Sequence, residues 1–332
     1  MKPLVLLTDA IHPQVHAHLE QFATVRVAPD TRPDTLIQAA REAQVIVVRS
    51  PLPPALFDTA DALRGVIRHG AGVDMIPIDA ASARAVAVAN APGANAQSVA
   101  EYAVGQMISL AHRLTQIDKA LRASSWPEAR ALSVHAREIT GRTVGLVGTG
   151  AIGQAVGRIC HFGFGMKVLG YSPSGRTLPD YIQPATLDAL FAGSDFVVLA
   201  CPLNDQTRGL VNSALLHLMK TDAGLINVAR GAVIQHADLI QALADGRIAG
   251  AALDVFPEQP LDPESALFTF PNVILSPHLA GITDESLQRM GDVVAGQVIQ
   301  LLHGELPTHL VNTAVREPVR RRLAALQAAD LS

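Results

Sequence analysis

Residues 143–160 read "TVGLVGTGAIGQAVGRIC". An apolar run of strand character comes first. Three glycines follow as Gly148-x-Gly150-x-x-Gly153, and a stretch with helical spacing comes after. In a strand–turn–helix that grips an anion, each glycine has its own reason. Gly148 permits the tight turn, Gly150 lets the backbone approach a pyrophosphate, and Gly153 lets helix and strand pack closely. The helix N-terminus then faces the anion.

Three glycines alone are weak evidence, because glycine turns are common. The surrounding series makes the reading specific. "TVGLV" (143–147) is followed by "KVLGY" (167–171), "FVVLA" (196–200), "GLINV" (224–228), "GAALDV" (250–255) and "NVILS" (272–276). These runs are apolar almost throughout, as strands covered on both faces are. Six strands alternating with helices make a doubly wound dinucleotide fold. Upstream, "LVLL" (4–7), "TVRVA" (24–28), "VIVVR" (45–49), "GVIRH" (65–69) and "AVAVA" (85–89) recur every 20 residues or so. That rhythm predicts a second parallel sheet with crossover helices. The expected fold class is therefore α/β with two doubly wound parallel-sheet domains. One long helix is expected over 96–122, a final helix over 284–303, and a short amphipathic helix in the tail, with arginines 320–322 on a solvated face.

Composition narrows the class. At 332 residues the chain is long enough for two domains, and 49% apolar residues mark a folded protein. A net charge of −4 without a basic stripe argues against nucleic acid. No apolar run approaches a membrane span, and "MKPLVLLTDAIHPQ" meets Asp9 and Pro13 too soon for a signal peptide. Cys160 and Cys201 stand far apart in or near apolar runs, which fits a reduced, cytoplasmic setting. No histidine, cysteine or carboxylate spacing suggests a metal.

The acid that holds a ribose 2′-hydroxyl in NAD enzymes should stand near position 172, and there the chain reads "YSPSGR". Ser172, Ser174 and Arg176 can donate to a 2′-phosphate and no carboxylate repels one. The loop favours NADP, with NAD as the alternative. Further on, "INVARGAVI" puts Arg230 at the carboxyl end of an apolar strand, and "ILSPHLAGIT" puts His278 after another. A cation for a carboxylate, a histidine to move a proton and a hydride-bearing cofactor together suit alcohol–ketone redox chemistry. Between them, "DVFPEQP" (254–260) offers Glu258 and Gln259 to orient the imidazole.

With "RHGAGVDMIPIDAA" (68–81), "NAPGANAQSVAEYAVG" (90–105), the glycine loop and "SPHLAGIT" (276–283), the chain resembles the D-2-hydroxyacid dehydrogenase family. The resemblance implies a discontinuous substrate domain (1–97 and 285–332), a cofactor domain (98–284), an active site in the cleft and a homodimer joined through the cofactor domains. It implies Arg230 on the substrate carboxylate and keto oxygen and His278 as acid/base. Asp254 would hold the nicotinamide carboxamide, with Val228, Ala229, Ala280 and Gly281 lining the ring and Thr207 close by. Ser50, Ala71 and Gly72 would hold the substrate carboxylate. The family's usual Glu behind the histidine aligns with Gln259, one residue past Glu258. The implied reaction is reduction of a small 2-keto acid to the D-2-hydroxy acid. Phosphoglycerate- or sulfonate-type dehydrogenases and a dinucleotide-sensing, corepressor-like protein remain the rivals.

Overall fold

The computed structural model describes residues 2–173 and 177–331. Among the described residues twelve strands form two sheets, and the strand pairings in both are parallel. Strands β1 (Leu4–Leu7), β2 (Thr24–Val27), β3 (Val45–Val48), β4 (Gly65–Arg68) and β5 (Ala87–Ala89) make a sheet in the order β2-β1-β3-β4-β5. Strands β6 (Thr143–Val147), β7 (Lys167–Tyr171), β8 (Gln183–Pro184), β9 (Phe196–Leu199), β10 (Gly224–Asn227), β11 (Gly250–Leu253) and β12 (Val273–Leu275) make the other, ordered β12-β11-β10-β9-β6-β7-β8. Both sheets are doubly wound, as the apolar rhythm predicts. The strand order reverses between β1 and β3 in one and between β6 and β9 in the other. Those switch points, at the carboxyl ends of the strands, are where such sheets take ligands.

The chain divides into two compact units: Met1–Asn95 with Ile282–Ser332, and Ala96–Gly281. In the first, helix Asp284–Leu302 lies on the sheet, putting Val294, Val298 and Leu301 into a core with Val5, Val45 and Ile67. In the second, two layers of side chains sandwich the sheet. One is built around Leu199, Leu225 and Leu253, the other around Leu146, Val198 and Ile226. Successive residues of one strand thus enter opposite layers, which is why these strands read as unbroken apolar runs.

Three local expectations need correction. The stretch 96–122 is two helices, Ala96–His112 and Leu114–Ala123, broken at Arg113 in the left-handed region (φ 56°). The first buries Val99, Ala103, Val104, Met107 and Ala111; the second buries nothing. The Arg137 N–H takes the Ala111 carbonyl at 2.9 Å and ends the first helix there. A seventh strand, β8, has no apolar run to announce it, and Pro184 is tolerated because β8 is the sheet edge. In the tail helix Arg316–Leu331, Arg320 and Arg321 are exposed, but Arg322 is half-buried and donates to the Leu63 and Asp61 carbonyls.

That helix docks by burying Val319 and Leu323 and by engaging Arg64, which is 1% exposed. Arg64 donates to the carbonyls of Leu301 and Leu302, to Gln327 and to Asp330. Arg64→Leu would leave these acceptors without their donor. We expect it to lower unfolding stability by about 3 kcal/mol. Asp330→Asn, at a half-exposed partner, should cost about 1 kcal/mol or less. Urea titration of both variants checks the ranking.

Candidate active site

The glycine loop follows β6 at the switch point of the second unit. A Cβ at Gly153 would lie 2.1 Å from the Gly148 carbonyl oxygen, and one at Gly148 would lie 2.7 Å from the backbone nitrogen of Cys201. The protein's own packing requires both glycines. Gly150 is different. Its φ of −74° suits any residue, and a Cβ there would meet nothing within 4 Å. The chain's own packing therefore does not require this glycine. Helix Ala151–Phe164 begins here with no side-chain cap, leaving its first N–H groups for an anion. This arrangement fits a dinucleotide pyrophosphate. Ser172 directly follows β7 and is partly exposed; Ser174 and Arg176 lie outside the described residues. Thr207 is buried, and its hydroxyl donates to the Pro202 carbonyl (2.6 Å) and accepts from the Asn204 N–H, so it holds its own loop in shape.

The loops after the three neighbouring strands β10, β11 and β12 carry Arg230, Asp254 and His278 respectively. After β10, buried Asn227 accepts from the Ala229 N–H (3.0 Å) and donates to the Arg230 carbonyl (3.1 Å). That clamp shapes the loop bearing Arg230, whose Nη1 donates to the Ala229 carbonyl (2.8 Å). Val228 and Ala229 are buried. Gly231 lets the same loop press on the next one: a Cβ there would fall 1.9 Å from the Phe256 carbonyl carbon.

Asp254 is 2% exposed. Its Oδ1 accepts from the Ser276 hydroxyl (2.6 Å) and the Leu279 N–H (2.9 Å), and its Oδ2 from the Ala280 N–H (2.9 Å). Its backbone carbonyl takes the His278 N–H at 2.8 Å. These bonds hold His278 at φ 56°, a left-handed conformation that costs a non-glycine residue about 1–2 kcal/mol. Ala280 is buried with both backbone groups engaged, its carbonyl by the Ser98 hydroxyl at 2.9 Å.

Gln259, not Glu258, stands against the imidazole. Its Oε1 lies 3.1 Å from His278 Nδ1, while its Nε2 donates to the Phe256 carbonyl at 3.4 Å. That second bond assigns the amide orientation. The oxygen faces the ring, so Nδ1 carries the hydrogen of that bond. Glu258 is exposed.

In the first unit, Ser50 follows β3 at the switch point, with the N–H groups of Arg49 and Ser50 both donating to buried Thr8. Ala71 and Gly72 follow β4. Their backbone N–H groups make no hydrogen bond among the described residues, although the Ala71 carbonyl accepts from Asn90 at 2.6 Å. No cluster of metal-ligating side chains occurs among the described residues, and no helix among them is long and apolar enough to cross a membrane.

Sequence reading missed Asn227, Ser276, Ser98 and Tyr102, whose hydroxyl bonds that of Ser276. The one available signal was Asn227, a polar residue ending an otherwise apolar buried strand.

A doubly wound sheet with this loop and three polar strand ends defines a dinucleotide-dependent oxidoreductase. Residues 104–280 match the family described as D-isomer specific 2-hydroxyacid dehydrogenase, NAD binding domain. The chain is 36% identical over 328 residues to the glyoxylate reductase of Thermococcus kodakarensis, covering 95% of this chain and 98% of that one. It is 34% identical over 317 residues to the D-3-phosphoglycerate dehydrogenase of Methanocaldococcus jannaschii, covering 93% of this chain and 59% of that one. Its structure is similar to that of the NADPH-dependent glyoxylate/hydroxypyruvate reductase of Sinorhizobium meliloti, with a TM-score of 0.84, 30% identity and coverage of 93% and 98%. The chain belongs to the D-isomer-specific 2-hydroxyacid dehydrogenase family, and its cofactor is a nicotinamide dinucleotide.

The glycines separate packing from binding. Gly153→Ala should lower Tm by several degrees. Gly150→Ala should leave Tm unchanged and weaken dinucleotide binding at least tenfold, because the added methyl stands where the pyrophosphate approaches. Thermal melts and fluorescence titrations with the cofactor measure the two effects separately.

Proposed function

We propose that the protein reduces glyoxylate, hydroxypyruvate or a similar small 2-keto acid to the D-2-hydroxy acid, with NADP preferred over NAD. The observation that carries this reading is the His278–Gln259 pair beside Arg230 at adjacent strand ends. When bound at the glycine loop, the nicotinamide cofactor supplies the hydride. Gly148, Gly150 and Gly153, with the N–H groups of Ala151 and Ile152, would hold its pyrophosphate. Val228, Ala229, Ala280 and Gly281 would wall the nicotinamide, with Thr207 shaping a neighbouring loop. Oδ2 of Asp254 has acceptor capacity beyond its one hydrogen bond, which suits a carboxamide N–H. Arg230 grips the substrate carboxylate and polarises the keto oxygen with its planar fork. His278 delivers a proton from Nε2 to that oxygen, while Gln259 holds Nδ1. The unpaired successive N–H groups of Ala71 and Gly72, near Ser50, suit a carboxylate.

Three further features support the finer assignments. No carboxylate follows β7 at Ser172, which favours the 2′-phosphate of NADP; the Sinorhizobium relative is NADPH-dependent. Leu114, Leu121, Trp126 and Val134 are exposed on helices Leu114–Ala123 and Trp126–Ala131 and the turn after them, a surface suited to a second copy of the cofactor domain. Both cysteines are buried and unpaired, which fits the cytoplasm.

A substrate with a second anionic group is the competing reading. Arg49 and Arg68 flank His69, which is 3% exposed; burial, then Arg49, then Arg68, lower its pKa to about 4. The imidazole is thus neutral, and Arg49 and Arg68 supply positive charge beside it. The test is cofactor oxidation with glyoxylate, hydroxypyruvate, phenylpyruvate and a phosphorylated 2-keto acid, each with NADPH and NADH. Turnover of the small acids with NADPH is expected. Turnover of the phosphorylated acid alone would establish the second reading. Dinucleotide binding without turnover of any acid would point to a dinucleotide sensor and overturn both.

Gln259→Glu tests the orienter. A carboxylate behind the imidazole stabilises its protonated form, and reduction requires that form. Activity falls as pH rises through the imidazole pKa, so the variant's decline should move to higher pH. Each unit of movement corresponds to about 1.4 kcal/mol. Glu258→Gln should leave the pH profile of kcat/KM where it was.

A further inference from the structure

The turn 276–280 is held not only by Asp254. Helix Ala96–His112 holds it from the other side, at both ends. Ser98 Oγ donates to the Ala280 carbonyl at 2.9 Å, and the Tyr102 hydroxyl meets Ser276 Oγ at 2.5 Å. Residues 98 and 102 are four apart and share one helix face. Ser276 has a single hydroxyl hydrogen and donates it to Asp254 at 2.6 Å. Tyr102 must therefore be the donor to Ser276, which makes a directed chain, Tyr102 to Ser276 to Asp254. Burial raises the Tyr102 pKa and outweighs the Ser276 hydrogen bond, which lowers it, so the phenol keeps the hydrogen the chain needs. In such chains each bond polarises the next.

We propose that Tyr102 is a positioning residue for His278. Through Ser276 it keeps the Asp254 carboxylate aligned on the Leu279 and Ala280 amides, and so keeps the left-handed backbone that presents the imidazole. Gln259 fixes the ring; Tyr102 fixes the turn that carries it. The activity arm of the test rests on the proposed keto-acid reduction, and the exchange arm does not.

Tyr102→Phe removes one hydroxyl and keeps the ring's packing. It should lower kcat five- to tenfold, with KM for the keto acid and cofactor Kd within twofold and Tm unchanged. Ser276→Ala should lower kcat at least as much, and Ser276→Thr, which restores a hydroxyl, should recover most of it. The double variant Tyr102→Phe/Ser276→Ala should be no slower than Ser276→Ala alone, because Tyr102 acts only through Ser276. Hydrogen exchange of the Leu279 and Ala280 amides should quicken in Tyr102→Phe. If the wild-type protein turns over no keto acid, the functional reading fails, and the exchange result alone decides this proposal. Unchanged exchange in Tyr102→Phe overturns it. So does a double variant whose losses multiply, or a loss of kcat that tracks a loss of Tm.

Discussion

A carboxylate taken out of water must have its oxygens satisfied, or it costs several kcal/mol. Asp254 meets that condition with one hydroxyl and two amides from a single turn, and forms no ion pair among the described residues. The turn has few ways to bring Ser276, Leu279 and Ala280 to one carboxylate. The one it adopts forces His278 into a left-handed conformation. The backbone of His278 is thus set by a charge it never touches with its ring. The same device recurs one strand away in neutral form, where Asn227 uses its amide to shape the Arg230 loop.

Placing each polar group at the end of a buried parallel strand has a further consequence. β10, β11 and β12 are in register, so the loops after them start level with one another. Small residues then allow backbone to meet backbone, as Gly231 does at Phe256 and Pro257. Apolar packing below fixes the Cα positions of the three polar residues. Their hydrogen bonds have only to choose rotamers and turn conformations.

Much of this was legible in the residues. Long apolar runs announce buried parallel strands, and the glycine spacing announces the switch-point loop, because both patterns follow from local geometry. Through "DVFPEQP" it was the family resemblance, pinned by Pro260, that aligned Gln259 with the residue behind the histidine, with Glu258 as the rival. What was not legible depends on partners far away in sequence. Ser98 and Tyr102 look like ordinary helix residues; their targets are 182 and 174 residues away. Leu114 and Leu121 continue the apolar spacing of the preceding helix, so nothing local announces the break at Arg113. That break comes from Arg137, which returns from a later segment to cap Ala111. Gln183 and Pro184 lack every strand signal, because an edge strand of two residues needs no apolar face.

The replacement of the family's glutamate by Gln259 can be weighed in the same terms. A carboxylate would do two things for the imidazole: accept the Nδ1 hydrogen and favour the protonated ring. The amide does only the first, and its own Nε2, held by the Phe256 carbonyl, keeps its oxygen turned the right way. Orientation and charge are thereby separated. Nδ1–H can stay engaged in both protonation states of the ring, so the tautomer need not change. Arg230 is then the fixed cation at these strand ends, and the buried Asp254 carboxylate is the fixed anion. Gln259, unlike a glutamate, adds no second negative charge to repel an anionic acid from these strand ends.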